Sequence, residues 1–154
     1  MNVINWLEVE PQVYSAGQPD ASAWADIAAL GVKTVVNLRP RAEQMEDEQS
    51  LVEAAGMDYV YLPVASLNDL NDNMQRELNR LLDERDGGLL VHCASGNRVG
   101  ALFALAYSRL GHNTEDAMAR GASAGLTKLA PQVEIMLHQR AGCAGGQANY
   151  RTPV

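Results

Sequence analysis

Cysteine is scarce in this chain, with two residues in 154, Cys93 and Cys143. That excludes a disulfide framework and suits a reducing compartment. Histidine is nearly as rare: His92, His112 and His138, even with Cys143, make no metal-ligand spacing, so neither a metal nor a cofactor is expected. Basic residues are short by comparison with acidic ones, 12 against 19 for a formal net charge of -7, which opposes general binding to nucleic acid or an anionic membrane. Any anion site must then be a local pocket. No apolar run is long enough to span a bilayer, and Met1 to Glu8 lacks the basic segment and apolar stretch of a signal peptide, so the expected location is cytoplasmic. No internal repeat is present. The 47% hydrophobic content suffices for one core without staples, and predicts a single domain over residues 1–141 with a flexible Gly/Ala-rich tail over 142–154.

Against these absences one stretch stands out. Leu89-Leu90-Val91 reads as a buried strand, Ala101 to Tyr107 as a helix apolar nearly all round, and between them lies the loop His92-Cys93-Ala94-Ser95-Gly96-Asn97-Arg98. A loop that opens a helix turns successive backbone N–H groups toward one concavity, where the helix dipole favours an anion. The same field favours Cys93 as a thiolate, the nucleophilic form. Arg98 adds a planar, two-pronged donor for an oxyanion. If His92 still belongs to the strand it points opposite to Cys93, and is a hydrogen-bonded core histidine as readily as a tuner of the thiol.

The rest of the chain supplies a frame for that loop. Val13 to Ser15, Lys33 to Leu38 and Asp58 to Leu62 read as strands. They alternate with a helix over about Ala21 to Leu30, ended by Gly31, and a Glu-rich, solvent-facing helix over Arg41 to Ala55 that turns Leu51, Val52 and Ala55 inward. A polar loop from Val64 to Asn71 leads into a helix capped by Asp72. Strands alternating with helices predict an α/β fold, a mostly parallel sheet flanked by helices, with ligands bound beyond the carboxyl ends of the strands. Arg39, the Pro63 to Asn71 loop and Cys93 would meet there. The C-terminal half reads as helical, with a cap at Asn113-Thr114 and a last helix starting near Pro131.

His92-Cys93-Ala94-Ser95-Gly96-Asn97-Arg98 resembles the phosphate-binding loop of the cysteine-dependent protein tyrosine and dual-specificity phosphatases. Ser15 to Pro19, Val35 to Arg39 and Tyr61 to Val64 resemble blocks of a bacterial branch of that superfamily, the phosphatase-like domain of the beta-lactamase-hydrolase-like proteins. The resemblance implies a phosphatase-like fold and a thiol that takes up a phosphoryl group. It further implies an arginine holding the phosphoryl oxygens, a loop aspartate that protonates the leaving group, and a phosphorylated small molecule or phosphoprotein as substrate.

The departures keep three readings open. Four residues separate Cys93 from Arg98 where the phosphatases have five, Val99 stands where they usually carry a hydroxyl, and Ala65 and Ser66 stand where their acid usually sits. The first reading is an atypical cysteine phosphatase with Cys93 as nucleophile and Arg98 plus the amides of Ala94, Ser95, Gly96 and Asn97 binding phosphate or sulfate. Asp69 is its general acid, with Asp72 the alternative, since Asp72 already has a role as helix cap. The second is a rhodanese-like sulfurtransferase carrying a Cys93 persulfide, which needs no acid. The third is a non-catalytic anion-binding or regulatory module.

Overall fold

A computed structural model of the chain describes residues 1–44 and 47–146, the side chains of 142–146 excepted. Its sheet has five strands in the order β1-β2-β5-β3-β4, with β1 Leu7–Glu10, β2 Val13–Ala16, β3 Val32–Asn37, β4 Asp58–Tyr61 and β5 Gly88–His92. All pairings are parallel except β1 with β2. The antiparallel edge strand β1 escapes the sequence reading because four residues alternate too briefly to carry a period, and its hairpin closes through Pro11-Gln12 with Gln12 at φ 66 instead of through a glycine.

Side-chain alternation along β5 sorts the core into two layers. Leu89 and Val91 face α3 (Asp72–Glu84), α4 (Asn97–Arg109), α5 (Thr114–Ser123) and α6 (Ala130–Gly146). Leu90 faces the other side, with Trp24 and Ile27 of α1 (Trp24–Ala29) and Val52 of α2 (Glu48–Ala54). The apolar run after the loop becomes α4, whose residues Val99 to Ala106 are all buried. Cys93 therefore emerges from the middle strand of the sheet, at its carboxyl end, directly into the N-terminus of the most buried helix.

Three expectations change. The segment from Arg41 to Ala55 is not one solvent-facing helix: a 3-10 turn at Arg41–Glu43 precedes α2, which starts at Glu48 with Asp47 as its cap. Glutamate composition suggested a wet face, yet two of these glutamates turn inward and find cationic or imidazole partners. Asn71, not Asp72, caps α3, its side chain accepting from Met74 N at 3.1 Å, while Asp72 pairs with Arg109 at 3.0 Å. The last helix runs on to Gly146 where the Gly/Ala content predicts an end near 142; the remainder of the expected tail, 147–154, lies outside the described residues.

Candidate active site

The loop from Cys93 to Arg98 is held by its carbonyls. Ala94 O accepts from Gln18 N at 3.1 Å, Ser95 O from Asn5 Nδ2 at 2.7 Å, and Gly96 O from Gly100 N at 3.0 Å, each donor lying outside the loop. Gly17 permits the first contact, because a Cβ there would stand 2.6 Å from Ala94 O. With its carbonyls drawn outward, the loop turns its N–H groups the other way, and Gly96 N donates to Cys93 Sγ at 3.1 Å. Gly96 itself adopts φ 99, the left-handed conformation that starts α4. Cys93 is buried, 1% exposed.

Arg98, in the first turn of α4, is aimed by a carboxylate the sequence reading assigned to a wet helix face. Glu43 Oε1 accepts from Arg98 Nη2 at 2.8 Å and Glu43 Oε2 from Arg98 Nη1 at 3.2 Å, while Val64 O accepts from Nη1 at 2.8 Å. That fork occupies the Nη1–Nη2 edge and, among the described residues, leaves the Nε–Nη2 edge for the thiolate or a substrate oxyanion. Arg39 also donates to Glu43, from Nε at 3.4 Å, and from Nη1 to Gln18 Oε1 at 2.7 Å. Hydrogen bonding from Arg98 holds the Glu43 carboxyl below its ordinary value, so Glu43 is an anchor and a poor acid. Burial works against the Arg98 cation, but Glu43 and the neighbouring Cys93 raise its affinity for a proton above the ordinary value.

His92 is a core histidine with a built partner. Its Nε2 lies 2.6 Å from Glu48 Oε2 and its Nδ1 3.3 Å from Cys93 O. Glu48 also accepts from Gln18 Nε2 at 2.8 Å. Burial pushes the Glu48 carboxyl up, yet hydrogen bonds from His92, Gln18 and Tyr59 outweigh it and leave it below the usual carboxylate value. Tyr59, half-buried and beside that charge, holds its proton well above the usual phenol range. The imidazole is thus fixed behind the loop, touching Cys93 through its backbone.

With that geometry in view, the likeness to known proteins can be read. Residues 3–109 match the family described as beta-lactamase hydrolase-like protein, phosphatase-like domain. The chain belongs to this family. A beta-lactamase hydrolase-like protein of Xylella fastidiosa is 29% identical over 104 residues, 64% of this chain and 24% of that one. The dual specificity protein phosphatase TpbA of Pseudomonas aeruginosa is 31% identical over 106 residues, 68% of this chain and 46% of that one, so the chain spans under half the length of either relative. A crystal structure of TpbA in complex with pTyr covers 88% of this chain and 91% of that one at a TM-score of 0.55 and 22% identity. Kinase associated phosphatase shares the fold at a TM-score of 0.69 and 14% identity, over 96% of this chain and 97% of that one.

The structure brings Cys93, Ala94, Ser95, Gly96, Asn97 and Arg98 together as one loop, and gives each candidate acid hydrogen-bond partners of its own. A cavity of about 290 Å³ beside Arg98 is lined by Ala65, Ser66, Leu67, Ser95, Asn97, Arg98, Lys128 and Leu129, none of them a carboxylic acid. Asp69, which showed no structural role in the sequence, has one: its Oδ2 accepts from Ala65 N at 2.8 Å and Ser66 N at 3.3 Å, bracing two residues that line the cavity. Asp72 is engaged with Arg109. Asn97 serves through its side chain, its Oδ1 accepting from Thr127 N, Thr127 Oγ1 and Leu129 N at 2.9, 3.1 and 3.2 Å. Glu43, Glu48 and Lys128 are the site residues that sequence reasoning missed. The spacing of Glu43 and Glu48, five apart in a segment following the strand-end Arg39-Pro40, was the available signal.

Proposed function

We propose that this domain hydrolyses phosphate monoesters with activated, aryl-type leaving groups through a phosphocysteine intermediate, in a reducing, cytoplasmic setting. The observation that carries the reading is the loop itself: a buried thiol receiving the Gly96 N–H, carbonyls claimed from outside, and Arg98 clamped by Glu43 with one edge left open. Cys93 Sγ attacks phosphorus, forming an S–P bond as the P–O bond to the leaving group breaks. The loop amides and the free edge of Arg98 take the equatorial oxygens, where charge accumulates. The residues lining the cavity beside Arg98 include no carboxylic acid, and in this reading the leaving oxygen takes its proton from water, which is tolerable for a phenol and poor for an alkyl alcohol. A second water then attacks phosphorus, the S–P bond breaks, and inorganic phosphate leaves with Cys93 again a thiolate. TpbA, a dual specificity protein phosphatase, was crystallised in complex with pTyr, which supports a phosphotyrosine-like substrate.

The four-residue spacing between Cys93 and Arg98 favours a second reading, sulfur transfer through a Cys93 persulfide. Assay of the purified protein with 4-nitrophenyl phosphate, and separately with thiosulfate plus cyanide, beside Cys93→Ser, decides between them. Phosphate release lost in Cys93→Ser supports the first; thiocyanate formation alone overturns it in favour of the second.

A further inference from the structure

The turn joining α5 to α6 is fastened to the phosphate loop at two points and to β2 at a third. Ser15 Oγ donates to Ala124 O at 2.5 Å, Gly125 sits at φ 103 where a Cβ would stand 3.0 Å from Gly96 O, and Asn97 Oδ1 collects Thr127 and Leu129 as described. What these contacts accomplish is to fix residue 128 beside the cavity that Arg98 lines.

That residue is Lys128, one of only two lysines in the chain. The other, Lys33, packs its aliphatic stem against Gly87 at the far, amino-terminal end of the strands. The arginines around the sheet are largely committed: Arg39 and Arg98 to Glu43, Arg80 to Glu77 and Glu84, Arg85 and Arg120 to Glu10, Arg109 to Asp72. Lys128 is exposed, and among the described residues it makes no ion pair. In a molecule of net charge -7, an uncommitted cation on a deliberately fixed turn asks for an anionic partner from outside.

Two cavities meet at this lysine. The cavity of about 290 Å³ beside Arg98 and a neighbouring cavity of about 320 Å³, lined by Asn5, Leu7, Ala122, Gly125 and Thr127, share Ser95, Asn97 and Lys128 as their common wall. Each is small, in the range of pockets that take small ligands and not extended chains. We propose that the substrate is a small phosphate monoester bearing a second anionic group on its leaving side, with the phosphoryl group on Cys93 and Arg98 and the second group received by Lys128 in the adjoining cavity. This rests on the phosphatase reading for the first group only; the second group's subsite is defined by the turn and the shared wall.

The test compares phenyl phosphate with its ortho-, meta- and para-carboxyphenyl analogues and with phenylene bisphosphate. Calorimetric binding to the Cys93→Ser protein reports the subsite without chemistry, and kcat/KM in the Cys93 protein reports it with chemistry. At least one doubly anionic probe should bind roughly three- to fivefold tighter than phenyl phosphate, as an exposed ion pair allows. The preference should vanish in Lys128→Ala, persist in Lys128→Arg and invert in Lys128→Glu. A preference for the carboxylates alone or for the bisphosphate alone identifies the second group. If the ratio is the same in Lys128→Ala as with Lys128 present, or if no isomer is preferred, the subsite is overturned while the phosphatase reading stands. If the ratio behaves as expected in binding but no probe is turned over, the phosphatase reading fails and the subsite stands. Failure of every probe to bind overturns both.

Discussion

At the scale of single residues, the site divides into groups that act and groups that aim them. Glu43 is the plainest aiming residue: its two oxygens fix two of the three guanidinium nitrogens of Arg98, 15% exposed, so the remaining edge faces the sulfur. Glu43→Gln keeps an acceptor and the size but loses the fork and the compensating charge. We expect kcat/KM on an aryl phosphate to fall by about tenfold, the order of one charge-assisted hydrogen bond, with little change in thermal stability. A gain in activity would instead mean that Glu43 competes with substrate for Arg98. Asp69 gives the opposite kind of test. Because its carboxylate accepts two backbone amides, Asp69→Asn, which retains an acceptor oxygen, should keep most of the activity and leave the pH–rate profile unchanged, its alkaline limb included, where loss of a general acid would show. Asp69→Ala should lose about 1 kcal/mol of stability by denaturant titration, as expected when a cap is removed. A large loss of turnover confined to the leaving-group step in Asp69→Asn would restore it as the general acid.

At the scale of elements, the strands and the principal helices are legible in the sequence because their signals are local. Branched residues in β3, the apolar run of α4 and the caps at Gly31 and Asn113 each act through neighbours in the chain. What is not legible depends on partners far away. The burial of Glu48 requires His92, 44 positions on, and the Glu43 to Arg98 fork spans 55 positions, so a glutamate-rich segment reads as solvated until its tertiary partners are known. Asp69 misleads for a related reason: its capping partners Ala65 and Ser66 lie before it in a segment without periodicity. Asn97 shows how two elements depend on one side chain. Asn97→Ala removes an acceptor used by three donors from the turn before α6, and should cost about 1–2 kcal/mol in denaturant unfolding. Hydrogen exchange at Thr127 and Leu129 should rise while that of β5 is unchanged. An unchanged exchange pattern would show the turn to be fixed by Gly125 and Ser15 alone.

At the scale of the whole molecule, acid stability is set by two competing effects. Protonating carboxylates lowers a net charge of -7 and relieves self-repulsion, which stabilises the fold as pH falls toward the isoelectric range. Glu48 pulls the other way. Its folded-state carboxyl lies below the ordinary value despite burial, because His92, Gln18 and Tyr59 favour the charged form. The stability it contributes is therefore fully present above the unfolded carboxylate value of about 4.3, and is lost as pH falls from there through the lower folded value. Comparison with Glu48→Gln isolates this contribution, since the bulk charge effect is nearly common to both proteins. The variant should be less stable by about 1–3 kcal/mol at pH 7, the range for a buried polar partner left imperfectly paired, and the gap should narrow steadily in urea titrations below about pH 4.3. The side chain is 7% exposed, so solvent screening should not erase the difference. A gap that stayed constant from pH 7 to pH 3 would mean that Glu48 holds α2 to β5 by shape and neutral hydrogen bonding, with no contribution from its charge.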